Sequence, residues 1–326
     1  MAVKKSGLGR GLDALFPEKS VPSKSGAKDT KEKTAVHPVK TSEKKEEKTA
    51  GQEKAEKGKG KIHFSIDDFF TAFIDLTENR KEYSSLFEQP VFAFFKRLHQ
   101  DYQAVFSCFC FYEEGKDGRN LAQVTDVFRE EFQENSDWLR FGFHGLNSGA
   151  NYGSTRFQTG ECRADYRQAG EDYEKTVKEL ERITGGGRCI DRVPRIHFYA
   201  GTAEACRAWM DASCGIRGLI SAEDDRIAYF HTEEQSRTLR QQDRLDTTGL
   251  GLTFFRTKVR LENTEDIAAF LEDFGRQEKM EELLVFTHEP FLEEERIRQM
   301  FRSCAAFARE RDWGFGFPED WLERED

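Results

Sequence analysis

Two carboxylates stand side by side at Asp67-Asp68, directly after the apolar run Ile62-His63-Phe64-Ser65-Ile66. An imidazole, His144, closes a second apolar run that begins at Trp138, and Asn147 follows it closely. A further imidazole, His197, lies with Arg195 and Tyr199 in the run Arg195-Ile196-His197-Phe198-Tyr199. His288 and Glu289 follow the run from Leu283 to Thr287, and Glu223-Asp224-Asp225 come shortly after Arg217–Ser221. Aspartate and histidine brought to one rim suit a divalent first-row cation, zinc among them. Such a cation acidifies a bound water and polarises a carbonyl. A spare carboxylate could then serve as base and a further imidazole as acid.

Each of these residues also has a plainer use. Asp67-Asp68 could cap a helix starting at Phe69. His197, in an apolar run, could be a hydrogen-bonded core residue. Glu223-Asp224-Asp225 could be an ordinary turn, and Asn147, in Asn-Ser-Gly, a loop residue.

Position decides between such uses, so the elements matter. Apolar runs predict strands at Ile62–Ile66, Ala104–Phe111, Trp138–His144, Arg195–Tyr199, Arg217–Ser221, Thr253–Val259 and Leu283–Thr287, with Trp313–Phe317 closing the set. Helical spacing falls over 84–101, 124–132, 164–184, 203–212, 264–278 and 292–309, while 224–261 is less regular. Strand and helix in alternation imply an α/β fold of parallel strands with helical crossovers. Strands apolar throughout imply a sheet covered on both faces. Seven or eight such units are the size of a barrel, and barrel sites gather at the C-terminal ends of strands. The histidines and aspartates above fall at or near such ends.

Charge is unevenly spread. Residues 1–62 carry 16 Lys/Arg against 9 Asp/Glu, a net of +7; with the whole chain at −10, the rest holds −17. An acidic body is a poor partner for nucleic acid. Residues 17–61 contain no Phe, Tyr, Trp or Leu and are expected to form a disordered linker. The seven cysteines show no Cys-x-x-Cys pair, which suggests reduced thiols. No continuous apolar run suggests a signal peptide or a membrane span, so a cytoplasmic location is expected.

The order of motifs resembles the polysaccharide deacetylase (NodB-homology) family over about residues 62–290. Phe64-Ser65-Ile66-Asp67-Asp68 resembles its Asp-Asp strand end, Phe141-Gly142-Phe143-His144-Gly145-Leu146-Asn147-Ser148 its His motif, and Val285-Phe286-Thr287-His288 its late His motif. Its Arg-containing motif matches Arg195 to Gly201 loosely. The resemblance implies a distorted (β/α)7 barrel over 62–326 and a metal-dependent hydrolase of C–N (amide) bonds in a carbohydrate or small molecule. It makes Asp67 the base, His288 the acid, and Asp68 and His144 ligands of a divalent metal, zinc being expected. Ser148 stands where the family has its second His, which leaves Asn147 as the expected third ligand. Arg195, His197, Tyr199 and Asp224 would line the substrate pocket. The departure at Ser148 keeps a non-catalytic scaffold as the alternative.

The opening stretch resembles a different family. Ser6-Gly-Leu-Gly-Arg-Gly-Leu-Asp-Ala-Leu-Phe16 is similar to the leader box of ParB-family chromosome-partition proteins. The resemblance implies that residues 1–16 contact a ParA-type ATPase. Leu8, Leu12 and Leu15 have the spacing of a groove-binding helix.

Overall fold

The computed structural model describes residues 60–115, 117–153, 161–247, 249–277 and 280–322. The leader box at 1–16 and nearly all of the expected linker lie outside the described residues.

The chain runs β1 (Lys61–Phe69), α1 (Thr71–Glu78), α2 (Pro90–Tyr102), β2 (Phe106–Phe111), α3 (Arg129–Glu134), β3 (Leu139–Gly145) and α4 (Tyr166–Thr184). It continues with α5 (Ala203–Asp211), β4 (Gly218–Ser221), α6 (Glu233–Leu239), β5 (Arg244–Thr247), β6 (Leu252–Arg256) and β7 (Val259–Arg260). It ends with α7 (Ile267–Gly275), β8 (Glu282–His288), α8 (Glu295–Glu310) and β9 (Gly314–Phe315). Local chemistry sets several of these boundaries. Asp165 caps α4 by accepting from the Arg167 and Gln168 amides, and Gly185 ends it at φ 96°. Gln89 caps α2, whose first residue is a proline.

The strands form an α/β arrangement that is mostly parallel. One sheet has the order β3-β2-β1-β8-β7, with β9 added beside β1; the other has the order β4-β6-β5, in which only the β5–β6 pair is antiparallel. Among the described residues there is thus no continuous seven-stranded ladder. The two sheets are linked instead by single backbone bonds. Asp191 N donates to Phe141 O (2.8 Å), Ile220 N to Pro194 O (2.9 Å), Thr257 N to Ser221 O (3.2 Å) and Lys258 N to Leu284 O (2.9 Å). Residues 190–195 therefore run beside β3 with little regular pairing. Gly142 permits that approach, because a Cβ there would lie 3.0 Å from the Phe109 ring and 3.2 Å from Asp191 O.

Period-two alternation divides β1. Ile62, Phe64 and Ile66 face the large core shared with the helices. His63, Ser65 and Asp67 point the other way, and all three are buried. A smaller apolar cluster of Phe109, Val193, Ile220, Phe255, Leu284 and Trp321 fills part of that second side.

The sequence-predicted elements hold for most strands and helices, with several differences: α1 lies outside the expected helical stretches, and the strand expected over Thr253–Val259 is divided into β6 and β7. Helix formation in 124–132 begins only at Arg129. The region 224–261 contains α6 and β5, which the irregular pattern did not foretell. The expected strand Arg195–Tyr199 is not one: His197–Tyr199 is a 3-10 turn, with Phe198 and Tyr199 at φ 55° and 56°. An apolar run carries no local sign that its backbone will turn left-handed.

Arg195 ties these parts together. Its guanidinium is buried at 1% exposure and donates to Ser65 Oγ (3.0 Å), Asp67 Oδ1 (2.7 Å) and Thr257 Oγ1 (3.0 Å). It also stacks 4.0 Å from the Phe286 ring centroid. One side chain thus reaches β1, β8 and the stretch after β6. Arg195→Met is expected to lower unfolding free energy by roughly 3–5 kcal/mol, because it strands a buried carboxylate. Urea denaturation measures this, and a loss under about 1 kcal/mol would contradict the clamp.

Candidate metal centre

Asp67 and Asp68 would face opposite sides of a regular strand. The structure avoids this with a bulge. The register of β1 against β2 shifts between Ile66 and Phe69, and Asp68 sits at φ 55°. A bulge of this kind re-aims one side chain. Asp67 turns to Arg195, while Asp68 turns to the histidines.

His144 Nδ1 lies 2.6 Å from Arg195 O. A carbonyl can only accept, so Nδ1 carries the hydrogen. In the neutral ring the lone pair is then on Nε2, which stands 3.1 Å from Asp68 Oδ1. His197 Nε2 is 4.0 Å from the same oxygen. Asp68, His144 and His197 each offer a ligand atom, and all three atoms lie within 4.8 Å of one another. Phe111 wedges against both rings, with centroids 5.0 Å from each.

The electrostatics suit a cation. Asp68 Oδ1 and His144 Nε2 are buried and have no hydrogen-bond partner among the described residues. Burial pushes the Asp68 carboxyl up, but the adjacent His144 ring, and then His288 and His197, hold it well below the usual carboxylate range. Burial drives His197 down to about 3, helped by His144 and opposed by Asp68, so its ring is neutral and able to ligate. Two imidazoles and a carboxylate make a three-ligand set that fits zinc or a similar ion with a position left open.

Asn147 is not in this group. Its Nδ2 donates to Glu113 Oε1 (2.9 Å) and its Oδ1 accepts from Gly149 N (3.0 Å), so it fastens the loops after β2 and β3. The third member of the group is His197, a residue expected to line the pocket. It gets there because the left-handed pair Phe198-Tyr199 turns the chain after it. Arg195, also expected to touch substrate, holds Asp67 instead. Tyr199 donates to Glu223 Oε2 (2.7 Å), and Asp224 pairs with Arg226 (2.6 Å).

His288 is the register partner of Asp67 across β1 and β8. Its Nδ1 is 2.5 Å from Glu262 Oε1. Burial lowers its basicity, yet the Glu262 hydrogen bond and the charges of Asp67, Asp68 and Glu262 win, and its pKa is raised.

No protein-family description matches the chain, and no curated protein matches it. Among solved structures it is similar to a CE4-family pseudoenzyme from Bacillus anthracis. That match has 10% identity and TM-score 0.33, over 82% of this chain and 66% of that one. A mutant of a CE4-family pseudoenzyme matches at 10% identity and TM-score 0.34, over 82% and 68%. A candidate polysaccharide deacetylase of O-antigen biosynthesis from Bordetella bronchiseptica matches at 11% and TM-score 0.33, over 81% and 90%. The chain spans about two thirds of the pseudoenzyme's length. At this level of likeness, nothing about activity passes to this chain.

Two residues of the site escape sequence reasoning. Glu262 lies in a short turn after β7 and binds Thr287 Oγ1 (2.8 Å) as well as His288. Glu289 accepts from the amides of Phe70 (2.8 Å), Thr71 (2.8 Å) and Ala72 (2.6 Å). It thereby fills the capping role that Asp67-Asp68 could have had, and leaves both aspartates to the site. Only its position beside His288 hinted at a role. Burial raises the Glu289 carboxyl to about 7 against those three donors.

Replacing Asn147 with alanine is expected to leave metal content unchanged, while His197→Ala and His144→Ala lose stoichiometric metal. Elemental analysis of dialysed protein reads the difference. Metal lost with Asn147 and kept without His197 would reverse the ligand assignment.

Proposed function

We propose that this chain is a divergent metal-dependent hydrolase of the deacetylase type, built on a distorted (β/α)7 barrel. Its substrate would be an acylated amine on a carbohydrate or small molecule. The convergence of Asp68, His144 and His197, with two buried ligand atoms left unpartnered, carries this reading. In this reading His197 would supply the imidazole missing at Ser148, which weighs against a purely non-catalytic scaffold.

Asp68, His144 and His197 would hold a divalent ion, with zinc the first choice for this donor set. When bound, such an ion polarises an amide carbonyl and acidifies water. The neighbouring residues divide the proton transfers. Asp67 takes the proton from the attacking water, its carboxylate fixed in one orientation by Arg195 at 2.7 Å. The water oxygen bonds to the carbonyl carbon, and the C–N bond then breaks. His288 gives its proton to the departing nitrogen. Its Nδ1 is engaged by Glu262, which leaves Nε2 for the transfer. The products are a carboxylic acid and a free amine.

The sign of the pH dependence follows. The acid must be protonated, and Glu262 raises the His288 pKa, so activity is lost as pH rises through that raised value. Removing the Glu262 charge lowers it. A panel of N-acetylated sugars and small amides, tested with the zinc-, cobalt- and manganese-loaded protein, should reveal turnover that Asp68→Ala abolishes. Glu262→Gln should move the alkaline limb of the kcat–pH profile to lower pH. Turnover undiminished in Asp68→Ala would refute the mechanism, and an unmoved limb would remove Glu262 from it.

A further inference from the structure

The opposite end of the strands carries a different chemistry. A cleft of about 280 Å3 opens there, lined by Arg140 at the start of β3, Arg188 and Arg192 on the segment after α4, and the acidic Asp137 and Glu319. Arg217, just before β4, reaches Glu319 from beside it at 3.6 Å. Glu319 is the carboxylate these arginines share. Arg140 Nη1 is 3.7 Å from it and Arg192 Nη1 is 3.4 Å, so no contact is a close ion pair. Arg188 is exposed and makes no hydrogen bond or ion pair among the described residues.

Two of these guanidiniums are oriented by carbonyls and only loosely paired with Glu319, to which Arg192 Nη1 donates at 3.4 Å. Arg140 donates its Nε to Ser136 O (3.1 Å) and stacks 3.8 Å from the Phe317 ring centroid. Arg192 donates its Nε to Gly215 O (2.7 Å). A carbonyl orients the fork but carries no full charge, so the terminal N–H groups keep their demand for an anion. Four guanidiniums against two carboxylates is a local positive excess in a chain whose net charge is −10. General basicity therefore does not explain it. The strap that carries Glu319 into the cleft is anchored independently. Gly316 N donates to Ile62 O (3.2 Å), and Arg244 Nη1 donates to Trp321 O (2.9 Å).

We propose that this cleft binds a small, multiply charged oxyanion, such as a phosphate or the phosphate group of a metabolite, with the Glu319 carboxylate as its internal competitor. Planar guanidinium forks match phosphate oxygens bidentately. The cleft's size and the acidic body favour a small ligand over a nucleic acid.

The test uses the full chain stripped of metal, with inorganic phosphate and pyrophosphate titrated calorimetrically at constant ionic strength and chloride as control. Saturable binding is expected. Arg188→Gln and Arg192→Gln should each weaken it at least about tenfold, the usual scale of a charge-assisted hydrogen bond. Glu319→Gln should tighten it by about tenfold, since the competing charge is gone, an effect that a merely structural Glu319 would not give. Because Arg188 is exposed and unpaired, its replacement leaves folding intact. Asp68→Ala should keep the binding, which separates this cleft from the metal centre. Absence of saturable binding in both the parent and Glu319→Gln would overturn the proposal. So would affinity unchanged by both arginine replacements, or affinity lost in Asp68→Ala.

Discussion

A guanidinium with 1% exposure imposes its demands on everything around it. Burying such a charge costs several kcal/mol unless it is paired and its donors are used. Arg195 meets most of that demand by drawing together Ser65, Asp67 and Thr257, while Phe286 covers its face; only its Nε finds no hydrogen-bond partner among the described residues. Thr257 in turn donates to Ser221 O (2.6 Å) at the end of β4. The contacts span both sheets, which the backbone alone joins by only a few isolated bonds. The main chain of the same residue fixes His144 through its carbonyl. Arg195 therefore sets the orientation of the proposed base with its side chain and of a proposed ligand with its backbone.

The site is also held under backbone strain. Asp68, Phe198 and Tyr199 all lie in the left-handed region, which costs a non-glycine residue about 1–3 kcal/mol. Such conformations persist only when the surroundings over-determine them. For Asp68 the surroundings are plain: Phe70, Thr71 and Ala72, just beyond it, are pinned by the Glu289 carboxylate. For the Phe198-Tyr199 pair, Tyr199 N donates to Ile196 O (2.7 Å) and Tyr199 O accepts from Tyr229 N (2.7 Å). The strain places two ligand side chains where an ideal strand would not.

Regular elements were legible from the sequence because burial writes a period into it. β1, β2, β3 and β8 match their apolar runs within a few residues, and so do α4 and α8. Asp67, Asp68, His144 and His288 could be singled out because they end such runs. The rest depends on contacts distant in the chain. Glu262 meets His288 across 26 residues, and Glu289 meets Ala72 across 217. No local pattern encodes either. His197 was visible as an imidazole, but its role was not, because the turn that aims it comes from two left-handed residues with ordinary side chains. Asn147 looked like a ligand only on spacing, and spacing along the chain says nothing about Glu113 waiting to bind its amide.

The strongest constraint on function is a conflict between two acceptors. Arg195 O fixes the His144 tautomer, and the lone pair this leaves points at a carboxylate oxygen 3.1 Å away. Two lone pairs at that distance repel, and a cation between them would relieve this. The His197 imidazole adds a third donor to the pair. That ring, held neutral by burial, stands within 4.8 Å of both partners. The proposed divalent cation would use all three groups at once: the lone pair that the tautomer provides, the carboxylate that stays ionised well below its usual range, and an imidazole too buried to protonate. The same arrangement gives the bulge its role, since it re-aims Asp68 from the side opposite Asp67 toward the histidines. In the proposed mechanism one carboxylate would serve the cation, and the other, held by Arg195, would be oriented for the proton of the attacking water.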